Sequence, residues 1–250
     1  CFVICNFIYA QLRRELCSVD QGWRQRRKSA GVERSKSDLQ RFARSHQENT
    51  MKVLVACEFS GRVREAFAKR GHFAVSCDLL ETEIPESENS KHYVGDVRNV
   101  LVDDWDLIIA HPPCTYLAQS GVQWLKKVPG RWEQMIDAVE FFNLFLSHPC
   151  ERICIENPIM HSHAKQRLLV KDYTQKIQPY FFGHPERKQT CLWLRNLPKL
   201  KVTNNLEQQV LFMHKADKDK VHWEPPGPER QKNRSRTYLG VAEAMATQWG

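Results

Sequence analysis

From Met51 onward the sequence alternates short apolar runs with polar or helical stretches, without an internal repeat. The runs are VLVACEF (53–59), FAVSCDLL (73–80), HYVGDV (92–97), DLIIAHPP (106–113) and RICIENP (152–158). Most are apolar at consecutive positions rather than at alternate ones, which marks strands covered on both faces. Between them, GRVREAFAKRG (61–71) puts Val63, Ala66 and Phe67 on one helical face and stops at Gly71. RWEQMIDAVEFFNLFLSHP (131–149) predicts a longer helix, closed by Pro149. Late strands are expected at IQPYFFG (177–183) and KQTCLWLRNLP (188–198), and a closing helix at VAEAMATQW (241–249). Alternation of this kind predicts an α/β fold, a doubly wound and mostly parallel sheet with helices on both faces. One domain spans 51–250, and the polar, Pro-rich stretch at 199–236 reads as a long loop or small insertion.

Residues 1–50 carry ten Lys/Arg against five Asp/Glu, so they hold +5 of the net +8. They show no sustained period and read as lying outside the fold, either disordered or as an extension ahead of a start at Met51. The rival reading is a basic arm on nucleic-acid phosphates. The remaining chain is only +3, so local clusters must argue for an anionic partner. ERQKNRSR (229–236) is such a cluster; Arg230, Lys232, Arg234 and Arg236 either bind phosphate or are simply solvated. Nine cysteines, an odd count with several inside apolar runs, point to free thiols in a reducing cytoplasm. No apolar run approaches the ~20 residues that cross a bilayer. CFVICNFIYA (1–10) is short, with no basic residues ahead of it, and makes a poor signal peptide.

In such a sheet, ligands gather at the carboxyl ends of the strands. The first strand delivers Glu58, Phe59, Ser60 and Gly61 there, the second Asp78, the third Gly95 and Asp96. Gly61 opens a helix, where a bare backbone and free N–H groups would admit a ligand, or where the chain simply turns. Asp78 suits a ribose hydroxyl, or a plain turn; Asp96 suits an adenine amine by the same logic.

The fourth strand ends in Pro112-Pro113-Cys114. Two prolines lack the N–H groups that would continue a ladder, so the chain leaves the sheet stiffly. A rigid exit loop is a good mount for a reacting group. Cys114 follows the apolar run rather than lying within it, which favours a nucleophile over a core thiol, with His111 or a nearby Arg to lower its pKa. Cys57, Cys77, Cys154 and Cys191 lie within strand-like runs and read as core. The fifth strand ends in Glu156-Asn157-Pro158. A carboxylate in a half-dry pocket is expected to have a raised pKa and to share a proton, with Asn157 orienting it. A thiol and a proton-sharing acid on adjacent strands suit addition to an electron-poor ring. His148, Cys150, Cys154, His161 and His163 are a weaker constellation; without a C-x-x-C pair a zinc site is disfavoured, and His161 and His163 read as loop residues near the pocket.

Pro112-Pro113-Cys114, Glu156-Asn157-Pro158 and Phe59-Ser60-Gly61, in this order and at these strand ends, resemble the cytosine-5 DNA methyltransferase family, and in particular its small phage-type members. The resemblance covers about residues 52–198 and, for the phage-type proteins, runs from Met51 to the end. It implies a Rossmann-like fold that uses S-adenosylmethionine, a phage or bacterial cytoplasmic setting, and DNA with a flipped cytosine as partner. It implies Cys114 and Glu156 as catalytic residues. Phe59, Ser60, Gly61, Asp78, Asp96 and Pro112 would hold the cofactor, and Pro113, Asn157, Arg187, Arg234 and Arg236 the substrate. The implied chemistry requires no metal and no membrane. Departures stand beside it: Gly61-Arg62-Val63-Arg64 replaces a richer glycine motif, Cys57 stands where Asp is common, and Gly183-His184-Pro185-Glu186-Arg187-Lys188 shifts an arginine register. The rivals are an amino-group methyltransferase acting on adenine or cytosine, which would need neither Cys114 nor Glu156, and a non-catalytic nucleic-acid-binding module on the same fold.

Overall fold

The computed structural model describes residues 50–227 and 229–250. The expected extension at 1–50 lies outside them, apart from Thr50. The elements follow the alternation of the sequence: β1 (Lys52–Ala56), α1 (Arg62–Ala68), β2 (Phe73–Asp78), β3 (Ser90–Val94), β4 (Leu107–Ala110), α2 (Arg131–Ser147), β5 (Ile153–Asn157), α3 (Ser162–Lys165), β6 (Gln175–Ile177) and β7 (Thr190–Arg195). Four short helices follow, α4 (Glu207–Phe212), α5 (Lys215–Lys218), α6 (Lys220–Trp223) and α7 (Glu229–Ser235), and then α8 (Leu239–Trp249).

The strands form one sheet in the order β3-β2-β1-β4-β5-β7-β6. All neighbours from β3 to β5 pair in parallel, whereas β7 is antiparallel to both β5 and β6. This is the doubly wound, mostly parallel α/β sheet that the alternation predicts. After β3 the chain crosses to the other side of β1 and builds outward from β4. That reversal puts a crevice at the carboxyl ends of β1 and β4.

The continuous apolar runs are explained by the two faces. Val53 and Val55 of β1 pack with Val63 and Phe67 of α1 and with Val241, Met245 and Trp249 of α8. Leu54 and Ala56 face the other way, with Met135, Val139, Phe142 and Phe145 of α2. Each such fully buried large side chain contributes on the order of 1.5–3 kcal/mol relative to exposure.

Where the elements differ from expectation, backbone chemistry accounts for it. The strand expected at 177–183 ends at Ile177, because Pro179 opens a 3-10 turn at Pro179–Phe181. The loop expected at 199–236 holds the four short helices α4 to α7. No helix among the described residues is long and apolar enough to cross a membrane.

Candidate functional site

β4 ends at Ala110; His111 adds one more ladder bond, donating its N–H to the Ala56 carbonyl at 2.9 Å. Pro112 and Pro113 then take the chain out of the sheet. Past Cys114 the chain turns at once, its carbonyl accepting from the Leu117 and Ala118 amides. This loop is stitched to the exit of β5: Gln119 N–H donates to the Ile159 carbonyl, His161 N–H to that of Leu117, and the His161 ring bonds the Tyr116 carbonyl. Cys114 is therefore held on both sides, as a rigid mount requires. Among the described cysteines it is the exposed one; Cys77, Cys150, Cys154 and Cys191 are buried. Although the residue reaches solvent, enough protein surrounds the thiol that desolvation raises its pKa. Glu156 adds to the rise, and Lys188 and Arg234 oppose it. The lowering by His111 that the sequence suggests is not among these effects. The thiol rests protonated at neutral pH.

Glu156 stands on β5 opposite Leu192 of β7, with its side chain 21% exposed. Its Oε2 lies 3.1 Å from His111 Nδ1. Burial pushes this carboxyl up. The hydrogen bond and charge of His111, the Lys188 ammonium and the Thr190 hydroxyl outweigh it, and the net shift is downward. The raised acid expected from the sequence is thus corrected: partners, not burial, decide the sign. Asn157 does not orient Glu156. It is fully buried, and its Nδ2 donates to the Pro112 carbonyl at 2.7 Å, tying the two strand exits together.

The residues leading into β7, from Arg187 to its first residue Thr190, alternate in direction. Arg187 and Gln189 line an open hollow of about 540 Å³ with Gln178, Lys215, Asp219, His222 and Trp223. Lys188 and Thr190 line a small cavity of about 30 Å³ with His111, Glu156 and Tyr238. The larger hollow is thus on the far side of this segment from the reacting groups. Arg187 is bound bidentately to Asp219, at 2.7 and 2.5 Å, whereas Lys188 faces Glu156 and Cys114. Lys188 is the cation that the sequence reading missed, and its period-two offset from Arg187 is the signal that could have found it.

At the other half of the crevice, β1 stops at Ala56 and Cys57 takes a left-handed φ of 60°. Cys57 is half-buried at the strand edge, not a core strand residue. Burial pushes its thiol strongly up, with Asp78 and Asp96 adding to the rise, so these two carboxylates face the same edge. Asp78 uses Oδ1 to accept from Leu80 N–H at 3.0 Å, and its second oxygen meets no donor among the described residues. Asp96 caps the next turn and pairs with Arg98 through its other oxygen. Phe59 is buried under Lys232 and Arg236, whose cations lie 5.5 and 5.8 Å from its ring centre.

The N-terminus of α1 is not open to a ligand as expected. The buried Glu58 carboxylate accepts from Val63 N–H at 2.8 Å, Arg64 N–H at 3.3 Å and the Ser60 hydroxyl at 3.0 Å. Gly61 is required by its φ of 67° and by the protein itself, since a Cβ would sit 3.0 Å from Arg64 Nη2 and Thr82 Oγ1. Of the cluster at 229–236, Arg236 is held by Glu83 at 2.6 Å and Lys232 approaches the same carboxylate at 3.7 Å. Arg234 makes no ion pair with a described residue, and its charge reaches Cys114. Pro113 is exposed beside Cys114, and Pro112 is buried. Among the described residues no three His, Cys, Asp or Glu side chains meet as a metal ion would need. His148 bonds the Leu101 carbonyl, and His161 caps α3.

No family model matches the chain, and no curated protein matches it. Solved structures do. The bifunctional kinase-methyltransferase WbdD is 13% identical with a TM-score of 0.32, over 63% of this chain and 37% of that one. The chain thus spans less than half the length of WbdD. Magnesium protoporphyrin IX methyltransferase (ChlM) from Synechocystis PCC 6803 with bound SAM is 11% identical with a TM-score of 0.34, over 70% and 89%. The 1,6-didemethyltoxoflavin-N1-methyltransferase of Burkholderia thailandensis, with S-adenosylhomocysteine, is 16% identical with a TM-score of 0.31, over 76% and 89%.

Proposed function

We propose that the chain is a methyltransferase that uses S-adenosylmethionine to methylate carbon 5 of a cytosine in DNA, through a covalent adduct with Cys114. The observation that carries this reading is the grouping of Cys114, Glu156, Lys188 and Arg234. It joins an exposed thiol on a rigid Pro-Pro mount to a carboxylate and two cations whose charges all reach that thiol.

The residues at the β1–β3 edge fit an adenosyl cofactor. Asp78 keeps one oxygen for a ribose hydroxyl, and the half-buried Cys57 offers apolar surface beside it. Asp96 contributes the edge next to it. When bound there, S-adenosylmethionine supplies an electrophilic methyl group next to the crevice.

On the substrate side, a cytosine reaches Cys114 only when turned out of its stack. The Glu156 carboxylate accepts from its exocyclic amine, a pairing that suits cytosine. The Cys114 sulfur then adds to ring carbon 6. The S–H bond breaks and an S–C bond forms. The proton passes through water to ring nitrogen 3, whose new N–H donates to the Glu156 carboxylate, and the ring becomes an enamine nucleophilic at carbon 5. After methyl transfer, water takes the carbon-5 proton, the C–S bond breaks to return the thiolate, and the nitrogen-3 proton passes back to the sulfur, which restores the aromatic ring. Lys188 and Arg234 favour the thiolate and suit the flanking phosphates; Arg187 and Arg236, already paired, serve the substrate only through the segments they hold.

The test incubates the whole chain with DNA containing 5-fluorocytosine and methyl-labelled S-adenosylmethionine. A denaturation-resistant protein–DNA adduct, absent in Cys114→Ser, is expected. Label in adenine, or methylation that survives Cys114→Ser, would overturn the proposal.

A further inference from the structure

The imidazole of His111 is tied to the site and unused by that chemistry. Its side chain is 9% exposed, and Nδ1 lies 3.1 Å from Glu156 Oε2. A carboxylate can only accept, so the hydrogen is on Nδ1. Nε2, an acceptor in the neutral ring and a donor in the imidazolium, is buried without a hydrogen-bond partner among the described residues. His111 lines the 30 Å³ cavity with Lys188, Thr190, Thr237 and Tyr238. A buried polar atom left unpaired calls for a reason. Its other ring nitrogen supplies one. His111 leads straight into Pro112-Pro113, and its backbone N–H is locked to Ala56. The ring therefore cannot follow Nε2 to a better partner without releasing Glu156.

We infer that His111 is a positioning residue that acts through Glu156: it ties up Oε2, so that Oε1 alone is presented to the base. This inference rests on the cytosine reading for its substrate and on the observed hydrogen bond for its geometry. Orientation and charge separate cleanly here. Burial alone would push the Glu156 proton affinity up, and the His111 hydrogen bond is the first of the groups that reverse this. The other charged or titratable groups facing the pair are Lys188 before β7, Tyr238 before α8, Cys114 on the β4 exit, Cys154 on β5 and Cys191 on β7. Tyr238 is engaged with Glu186 at 2.7 Å, which leaves Lys188 as the nearest support when His111 is removed.

The experiment uses the whole chain as wild type, His111→Ala and His111→Asn. Asparagine can still donate to Oε2 but cannot titrate. Two readouts are taken. The first is the rate of adduct formation with 5-fluorocytosine DNA as a function of pH. His111→Ala should slow it about tenfold or more at neutral pH, as expected for a misplaced reacting group, and move the acid-side loss of activity to higher pH. His111→Asn should recover the rate to within about threefold and return the acid limb to its wild-type place, with KM for DNA unchanged in both. The second readout needs no substrate: the ¹³C shift of the Glu156 carboxyl against pH. Its midpoint should rise in His111→Ala and return in His111→Asn. An unchanged midpoint in His111→Ala, or an asparagine variant no better than alanine, overturns the inference. A wild-type chain that forms no adduct but shows the shifted Glu156 midpoint sinks the cytosine reading and leaves His111 in its role. Should His111→Ala not fold, His111→Gln replaces it, since the glutamine amide falls at the Nε2 position and leaves the Nδ1 position without a donor.

Discussion

The Asn157 side-chain amide donates to the Pro112 carbonyl at 2.7 Å, so the exits of β4 and β5 are fastened to each other below the residues that would react. Pro112 is buried, and its carbonyl has this as its side-chain partner. The contact spans two parallel strands and fixes the height of Cys114 relative to Glu156. Asn157→Ala should therefore cost about 1–3 kcal/mol of stability, the range for leaving a buried acceptor unmatched. The loss in adduct rate should be larger than stability explains, about tenfold or more, because the two reacting groups lose their common mount. Chemical denaturation and single-turnover adduct formation on one preparation separate the two. A rate unchanged within twofold would show that the fastening is structural only.

The Cys114 thiol is raised by desolvation and then by Glu156, while Lys188 and Arg234 pull it down. Glu156→Gln removes the second of the raising effects and leaves the first. The thiol pKa should fall but stay above its ordinary value. At pH 7.5 iodoacetamide should then label Cys114 about two- to fivefold faster than in wild type, since the thiolate is the reactive form. Lys188→Met should slow labelling by a similar factor. Peptide-level mass spectrometry isolates Cys114 from the buried Cys77, Cys150, Cys154 and Cys191. Slower labelling in Glu156→Gln would mean that the carboxylate acts on the thiol as a base rather than as a neighbouring charge.

The fold was legible because β1, β2, β4 and β5 are apolar on both faces, and Pro112-Pro113 and Pro179 say where strands must stop. Cys114 and Glu156 were legible because they stand at strand ends, outside the apolar pattern. What the sequence hid depends on partners distant along the chain. The depressed Glu156 carboxyl needs His111, 45 residues away. Glu58 reads as a strand-end acid, and only the turn at Gly61 brings it round to the α1 amides. Asp219 captures Arg187 from 32 residues away, inside a stretch whose short helices have too few turns to show a period.

The alternation across 187–190 predicts different outcomes for two adjacent cations. Lys188→Met removes a charge that faces both Glu156 and Cys114, and adduct formation should drop about tenfold or more, with little change in melting temperature. Arg187→Lys cannot keep the bidentate pair with Asp219. It should loosen α5 and α6, lower the melting temperature by a few degrees, and leave Cys114 labelling unchanged. Differential scanning fluorimetry and the iodoacetamide assay together decide the case. The opposite pattern, with Arg187→Lys the slower variant in chemistry, would restore the arginine register that the family resemblance implies.

Glu83 holds the basic segment down. Arg236 binds it at 2.6 Å, Lys232 stands 3.7 Å away, and both cations cover the Phe59 ring at the proposed cofactor edge. The Arg236 hydrogen bond sets the Glu83 carboxyl below its usual range against a smaller opposing effect of burial. A depressed carboxyl contributes stability above its unfolded value of ~4.3, and that contribution is lost as pH falls through the lowered folded value. The side chains are about a quarter exposed, so solvent screening limits the contribution to about 1 kcal/mol or less. Glu83→Gln should therefore shift global stability little, but speed hydrogen exchange across α7 and the residues up to Thr237, at pH 7. The difference from wild type should shrink as the pH is lowered below 4 and the wild-type carboxylate itself takes up a proton. Exchange mass spectrometry on the two proteins at both pH values is the check, and protection of α7 that is equal at pH 7 would show that Arg62, which donates to the Thr237 carbonyl at 2.8 Å, holds the segment without Glu83.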